Sequence, residues 1–329
     1  MKNLLNKIVC LAIAACAVVF PAHAQYTSQW EEKTLPVGEF STVDVNGDFD
    51  IVLAKGSYSV RLTTDQALAP YVQVYVRAKT LYITYDEKSV PKDIKKQYKG
   101  KNAPVPVFRA VVSLPELGGI NLDDNVMLAT TEEFYGSSVQ LSLSGKSQIR
   151  NLSLNANEIE LNMKKNAQAV LSLSADSKLE ANTDDKAVLK LTEKAKVFTL
   201  NAKGNSDNAI SGEGEALNLK LSEKANASLN QKVQKVSMEV SGSSALVLNG
   251  EGKFLEVKGE KSATVDAAVF PVERVIADLN GNCKVNVNVE KELKVTLEGG
   301  STLSYNGAPT LLLGKIVKST LLPAEAVKK

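Results

Sequence analysis

Residues Leu141–Leu154 read LSLSGKSQIRNLSL, two runs of alternating apolar and polar residues joined by a polar bend. The cadence returns as LNMKKNAQAVLSL (Leu161–Leu173), LKLSEKANASL (Leu219–Leu229) and MEVSGSSALVL (Met238–Leu248). Marking one bend residue per phrase gives Asn125, Ser147, Ala167, Ala187, Asn205, Ala225, Ser244, Ser262, Cys283 and Ser301, at steps of 18 to 22 residues. A self-similar period near twenty signals a solenoid. Segments such as Leu217-Leu219-Leu221 and Val236-Met238-Val240 have a period of two, the period of a strand. Helical solenoids need longer units with a 3.6-residue period, and leucine-rich repeats need an Asn-centred consensus that these units do not keep. The expected fold is all-β: a single-stranded parallel β-helix of 18 to 22 residues per coil, its side chains alternating inward and outward.

Bends and flanks fit that expectation. Gly145, Gly242, Gly281 and Gly299 stand just before the marked residue, where a sharp turn favours positive φ. Between 116 and 308 the only proline is Pro271, as expected of strands hydrogen-bonded on both edges. Upstream, alternating segments such as YVQVYVRAKTLYITYD (Tyr71–Asp86) are joined by the turn signals Asn46-Gly47 and Lys55-Gly56. This aromatic-rich region is expected to be an antiparallel β-rich cap over one end of the stack, because an open end exposes core and unpaired backbone. The expected division is a signal peptide (1–24), a linker (25–39), the cap (40–115), the repeats (116–313) and a C-terminal tail (314–329). The tail is apolar from Leu311 to Leu322, able to make a last rung or to dock on another copy.

The first 24 residues carry the marks of an export signal: Lys2 and Lys7, an apolar run Ile8–Phe20, and the small-x-small site Ala22-His23-Ala24. The run is too short to span a membrane. Cleavage after Ala24 is the adopted reading; the alternative takes IAAC (Ile13–Cys16) as a lipobox with Cys16 lipidated. The product is expected in the periplasm, at the cell surface or outside the cell. Cleavage also removes His23, the sole histidine, together with Cys10 and Cys16, and lowers Lys+Arg from 39 to 37 against 37 Asp+Glu. A neutral chain has no general attraction for nucleic acid. Without histidine a Ser-His-Asp apparatus cannot be built, and zinc sites based on His or paired Cys are excluded. No phosphate loop or dinucleotide fingerprint occurs, so no cofactor is expected. No later segment is long and apolar enough to cross a bilayer as a helix.

Several stretches together resemble one family. VNGDFDIVLAKGSYSVRL (Val45–Leu62), VVSLPELGGINL (Val111–Leu122), the Ser-Gly-Ser phrases LSLSGKS and VSGSSALVLNG, and the closing LEGGSTLSYNGAP are similar, in that order, to bacterial auto-transporter adhesins with a head GIN domain, common in Bacteroidota. The resemblance runs from about residue 40 to 313. It implies an exported β-helix with no established catalytic residues. No translocator barrel is recognisable after the repeats.

Four candidate sites stand out. Asp44, Asn46, Asp48 and Asp50 are expected on one strand face and superficially resemble a calcium loop. The glycine comes too early and no bidentate Glu closes it, so a solvated face is the plainer reading. Asp123-Asp124 and Asp184-Asp185 sit on bends about three rungs apart, about 14 Å, beyond the roughly 5 to 10 Å of glycosidase carboxylates. Lys146, Lys165 and Lys186 are their expected stacked neighbours. Asp86–Asn102 carries six lysines around Tyr98 on an expected long loop; Lys92, Lys95, Lys96, Tyr98 and Lys99 are the candidate contact for an anionic glycan, against a plain solvated connector. Cys283 reads as a small stacked residue, with oxidative dimerisation the alternative. The leading functional expectation is a non-enzymatic, adhesin-like or structural envelope protein, a rod about 40–50 Å long whose polar faces bind glycan, envelope or host-surface molecules through many weak contacts. The alternatives are a carbohydrate-active enzyme (polysaccharide lyase or hydrolase) and a self-assembling architectural protein whose partner is its own kind.

Overall fold

The computed structural model describes residues 29–324, so the expected signal peptide and Cys16 lie outside the described residues. The chain begins with β1 (Trp30–Leu35), β2 (Thr42–Gly47), β3 (Asp50–Lys55), β4 (Ser59–Asp65), β5 (Val72–Arg77) and β6 (Thr80–Tyr85). The one α-helix among the described residues, α1 (Lys92–Gln97), precedes β7 (Phe108–Leu114), β8 (Gly119–Asp124) and β9 (Met127–Leu143). The stack continues as β10 (Gln148–Met163), β11 (Gln168–Thr183), β12 (Val188–Ala202), β13 (Asp207–Leu221) and β14 (Asn226–Val240). It ends with β15 (Ala245–Glu251), β16 (Phe254–Lys261), β17 (Thr264–Gly281), β18 (Lys284–Glu298), β19 (Thr302–Asn306), β20 (Thr310–Val317) and β21 (Thr320–Pro323).

The result is a parallel β-solenoid of about 11 turns. Each coil bends one long strand, or two short ones, around a shared core. One inner column runs Leu161, Ala181, Leu200, Leu219, Met238, Val257, Ala277 and Val295, each beside the next on the neighbouring coil. All are buried. The period-two pattern thus becomes one solid row of apolar side chains, each larger member contributing roughly 1.5–3 kcal/mol of burial. Pro271 sits at a register shift between β17 and β18, where an absent N–H is tolerated.

The bends line up in a column, one position tighter than the sequence markers suggest. The buried corner residues are Val126, Ser147, Ala167, Ala187, Ser206, Ala225, Ser244, Ala263, Cys283 and Ser301. Asn125, Asn205 and Ser262 therefore miss by one; each is exposed beside the true corner. Polarity misled there, because the corner selects small size and its hydroxyls bond backward: Ser244 Oγ donates to the Ser241 carbonyl at 2.6 Å and Ser301 Oγ to that of Glu298 at 2.9 Å. Buried Cys283 occupies the same place, which favours the stacked role over an exposed thiol.

Two residues before each corner the backbone is left-handed, at Asp124 (φ 70°), Gly145 (72°), Lys165 (59°), Asp185 (58°), Gly204 (67°) and Glu223 (64°), and onward. The next N–H reaches down to the coil below. Lys146 N–H meets the Asp124 carbonyl at 2.5 Å and Asn205 N–H meets that of Asp185 at 2.6 Å, whereas Asn166 N–H meets Gly145 at 2.9 Å. The closer approaches lie under Gly145 and Gly204. A Cβ on either would fall 2.4 Å from the Asp124 carbonyl oxygen or 2.6 Å from the Asp185 nitrogen, so glycine permits the tightest stacking.

The N-terminal region is a mixed unit rather than the expected antiparallel one. β2 lies parallel between β6 and β8, and β3 parallel between β7 and β9, so residues 42–55 already form a rung. Only β1–β4, β4–β7 and β5–β6 run antiparallel. β1 lies within the stretch expected as linker and closes one sheet. At the other end the rungs run past 313, since β20 pairs with β18 and β21 with β19.

One ionisable side chain is buried among the solenoid's inner rows. Glu193 and Gln231 occupy one inner column, separated by Gly212 and followed by Gly250. A Cβ on Gly212 would lie 2.1 Å from Glu193 Oε1, so the carboxyl bends over the glycine toward Gln231. Glu193 Oε2 and both polar atoms of the Gln231 amide lack hydrogen-bond partners among the described residues. Burial pushes the Glu193 carboxyl up to about 7, opposed by the contact with Gln231 and reinforced by Glu213. The arrangement occupies four successive coils and repeats every second one: Gly212-Glu213-Gly214 recurs as Gly250-Glu251-Gly252, and Glu193-Lys194 as Gln231-Lys232. Because the folded pKa exceeds the ordinary 4.5, the folded state holds the extra proton. The stabilisation is complete below about pH 4.5 and is lost as pH rises through about 7. Compared with Glu193→Gln, the wild-type protein should lose at most about 3 kcal/mol across that window. Denaturant titrations of both proteins at pH 5 and 8 measure the difference; parallel behaviour would refute it.

Candidate functional site

The rung formed by β6 and β7 lacks a tight corner. Residues 86–107 replace it and stand over the N-terminal end of the corner column. The segment begins with a 3-10 turn, Glu87–Ser89, capped by Asp86, which accepts from Ser89 N–H at 3.3 Å and Ser89 Oγ at 2.5 Å. Pro91 directs the chain into α1, with Asp93 in its first turn and Lys95 and Lys96 in its last, each where the helix dipole favours its charge. Tyr98 N–H then caps the Lys95 and Lys96 carbonyls. The expected long loop is therefore partly helical, and partly buried Ile94 and Tyr98 pack it against the core.

The returning chain is held by Asp65, at the end of β4. Asp65 Oδ2 accepts from Val107 N–H at 2.9 Å, while Asp65 N–H donates to the Val107 carbonyl at 3.3 Å. Asp65 is 1% exposed and its Oδ1 has no hydrogen-bond partner among the described residues. Between this anchor and the end of α1 lies an open cavity of about 820 Å³, lined by Asp65, Gln66, Lys96, Tyr98, Lys99 and Asn102 among others. Burial and the charge of Asp65 push the Tyr98 phenol upward. A second cleft of about 400 Å³ on the far side of Tyr98 is lined by Lys95, Lys99, Asp48, Tyr85 and Phe108.

Of the five candidate residues, Lys96, Tyr98 and Lys99 converge on the larger cavity. Lys95 faces the smaller cleft, and exposed Lys92 lines neither. Asp65 and Gln66 escaped sequence reading. In TTDQALAP (Thr63–Pro70) they look like the start of a surface turn, and only contact with Val107 draws Asp65 inside.

The other candidates disperse. Asp44 and Asn46 lie on β2, Asp48 at the bend and Asp50 on β3, so the bend divides a set expected on one face. Asp44 accepts from Asn121 Nδ2 at 3.2 Å, Asp48 accepts from Asn125, and Asp50 lies 3.9 Å from Arg109 Nε. Burial raises the Asp44 pKa, against the Asn121 contact, with Asp123 adding to the rise. Asp123 meets Lys165 Nζ at 3.6 Å as expected, but the cation at Asp184 is Lys203, at 3.7 Å. Lys146 and Lys186 make no ion pair with these carboxylates among the described residues. Burial works to raise the Asp123 pKa, yet the Asp124 N–H, Ser144 and Lys165 outweigh it and hold the carboxyl below its ordinary range.

Regular polar ladders cover the outside of the rod. Asn182 Nδ2 donates to Asn162 Oδ1 at 3.0 Å, and Asn201 Nδ2 to Asn182 Oδ1 at 2.8 Å. On another face Lys194–Glu213 (3.0 Å) and Lys232–Glu251 (2.8 Å) pair across adjacent coils.

A family model described as "Putative auto-transporter adhesin, head GIN domain" matches residues 39–209 and again 173–309. No curated protein matches the chain. A crystal structure of a "putative adhesin" from Parabacteroides merdae ATCC 43184 is 16% identical, with a TM-score of 0.39, covering 91% of this chain and 97% of its own. Another from Parabacteroides distasonis ATCC 8503 is 16% identical, with a TM-score of 0.40 and coverages of 91% and 98%. A "putative lipid binding protein" from the same organism is 14% identical, with a TM-score of 0.34 and coverages of 91% and 98%.

Asp65→Ala should strand the Val107 N–H and cost about 1–3 kcal/mol, whereas Asp65→Asn keeps an acceptor and should cost less. Chemical denaturation of the two variants ranks them; equal losses would remove Asp65 as the anchor.

Proposed function

Because the chain belongs to the family of auto-transporter adhesins with a head GIN domain, we propose that it is an exported, non-enzymatic adhesive or structural protein of the bacterial envelope. The observation that carries this reading is the exterior of the rod. Asn, Ser, Thr, Lys and Glu recur there at the rung spacing of about 4.8 Å, a surface suited to many weak polar contacts with a repetitive ligand. Single contacts of this kind are feeble, and their sum depends on multivalency. Removal of His23 with the leader and the three-rung separation of Asp123 from Asp184 weigh against the carbohydrate-active enzyme.

Within this reading the insertion at 86–107 is the specific contact, and an anionic glycan or other acidic surface polymer is its ligand. Lys96 and Lys99 flank a cavity whose amides and Tyr98 ring suit a hydroxylated, partly apolar unit. Lys92 and Lys95 add positive charge around it. Such attraction weakens as salt screens it.

Replacing Lys92, Lys95, Lys96 and Lys99 together by Gln should abolish salt-sensitive retention on an immobilised uronic-acid polysaccharide while leaving the melting temperature unchanged. Undiminished retention would reduce the insertion to a connector.

A further inference from the structure

The two ends of the rod are finished differently. At the N-terminal end Phe40, Leu68, Val90 and Leu117 are buried, and two strands have an open edge among the described residues: β1, with Glu31, Glu32 and Lys33 beside exposed Trp30, and β5, with Gln73 and Arg77 beside exposed Tyr75. Charge on an edge strand is a usual guard against pairing with another chain. At the C-terminal end β20 and β21 each pair on one side only among the described residues. All eight residues of β20 are exposed.

The exposed residues of β20 are the wrong kind for a solvated edge. Leu311, Leu313 and Ile316 stand beside Leu293, Val295 and Leu297, whose side chains are fully buried. They therefore point to the core side of a rung that no further coil covers among the described residues, and Leu313 is 59% exposed. Leu312 and Val317 add apolar surface on the opposite face. Residues 299–324 contain no carboxylate, and of the two lysines there Lys315 already pairs with Glu298 at 2.8 Å. A partner for this end must supply a strand edge, an apolar inner face and little positive charge.

We infer that the C-terminal rung docks on the same rung of a second copy, making a tail-to-tail dimer. A two-fold axis across the rod sets β20 against its counterpart in antiparallel fashion, so the open backbone groups pair and the inner leucines of both copies cover each other. Terminal rungs meet with almost no like charge. Head-to-tail growth would instead bring this apolar edge onto strands that carry Glu31, Glu32 and Lys33 (β1) and Arg77 (β5). The closed dimer also doubles the number of polar faces and glycan-contact insertions, one set at each end of a longer rod.

Sedimentation equilibrium of the purified exported protein should give a dimer. Leu313→Asp, at a position exposed in the single chain, should weaken it about a hundredfold or more with the circular dichroism and melting temperature unchanged. Leu312→Cys should yield one covalent dimer under mild oxidation, since Cys283 is buried. A wild-type protein that stays monomeric at high concentration would overturn the inference. So would a dimer indifferent to Leu313→Asp, or oxidation that leaves Leu312→Cys uncross-linked while wild-type assemblies grow beyond two. These readouts are independent of glycan retention.

Discussion

The molecule depends on the fit between one coil and the next at the corner column. There the chain reverses within four residues, and its backbone must also keep donating to the coil beneath. A left-handed residue at one place per turn solves both requirements, and the N–H after it makes the vertical bond. Asp124, Lys165, Asp185 and Glu223 accept the local strain that such backbone imposes on a residue with a Cβ. Glycines between them allow the closest approaches. The cost at each charged position is modest because continuous parallel ladders on both flanks hold it in place.

Vertical stacking explains why the interior tolerates a polar pair. A hydrophobic column is interchangeable from coil to coil, which is why Leu, Ala, Met and Val succeed one another in one row. Glu193 and Gln231 need a neighbour of no size at all, and Gly212 and Gly250 supply it. Chemistry there is shared across three coils. Burial holds the carboxyl's pKa at about 7, with Glu213 adding to the rise and the Gln231 contact only partly opposing it.

The candidate contact site follows from the same architecture. Where one rung abandons the tight corner, 22 residues intervene between β6 and β7, from Asp86 to Val107. They can carry lysines and a phenol because they are released from the size limit of the corner, and they remain ordered because Asp65 and Tyr98 tie them back. Rigid support beneath a variable excursion is the usual arrangement of a binding loop. On the proposed function, ladders along the rod would serve broad weak contact and the insertion at its end local selectivity.

Alternation of two and return after about twenty residues sufficed for the β-helix and its small corner column, because each property is local and repeated many times. Averaging over ten corners absorbed the one-residue errors at Asn125, Asn205 and Ser262. The lysines around Tyr98 were legible as a cluster for the same reason, being neighbours along the chain. Features that occur once depended on tertiary structure. Asp65 became an anchor only when residue 107 folded back upon it, 42 positions away, and the parallel placement of β2 and β3 depended on strands from far downstream. The open face of β20 is likewise invisible in an apolar run, since a leucine is buried or exposed according to whether another coil lies above it. Sequence specifies what each residue prefers; the packed chain decides which preferences find a partner.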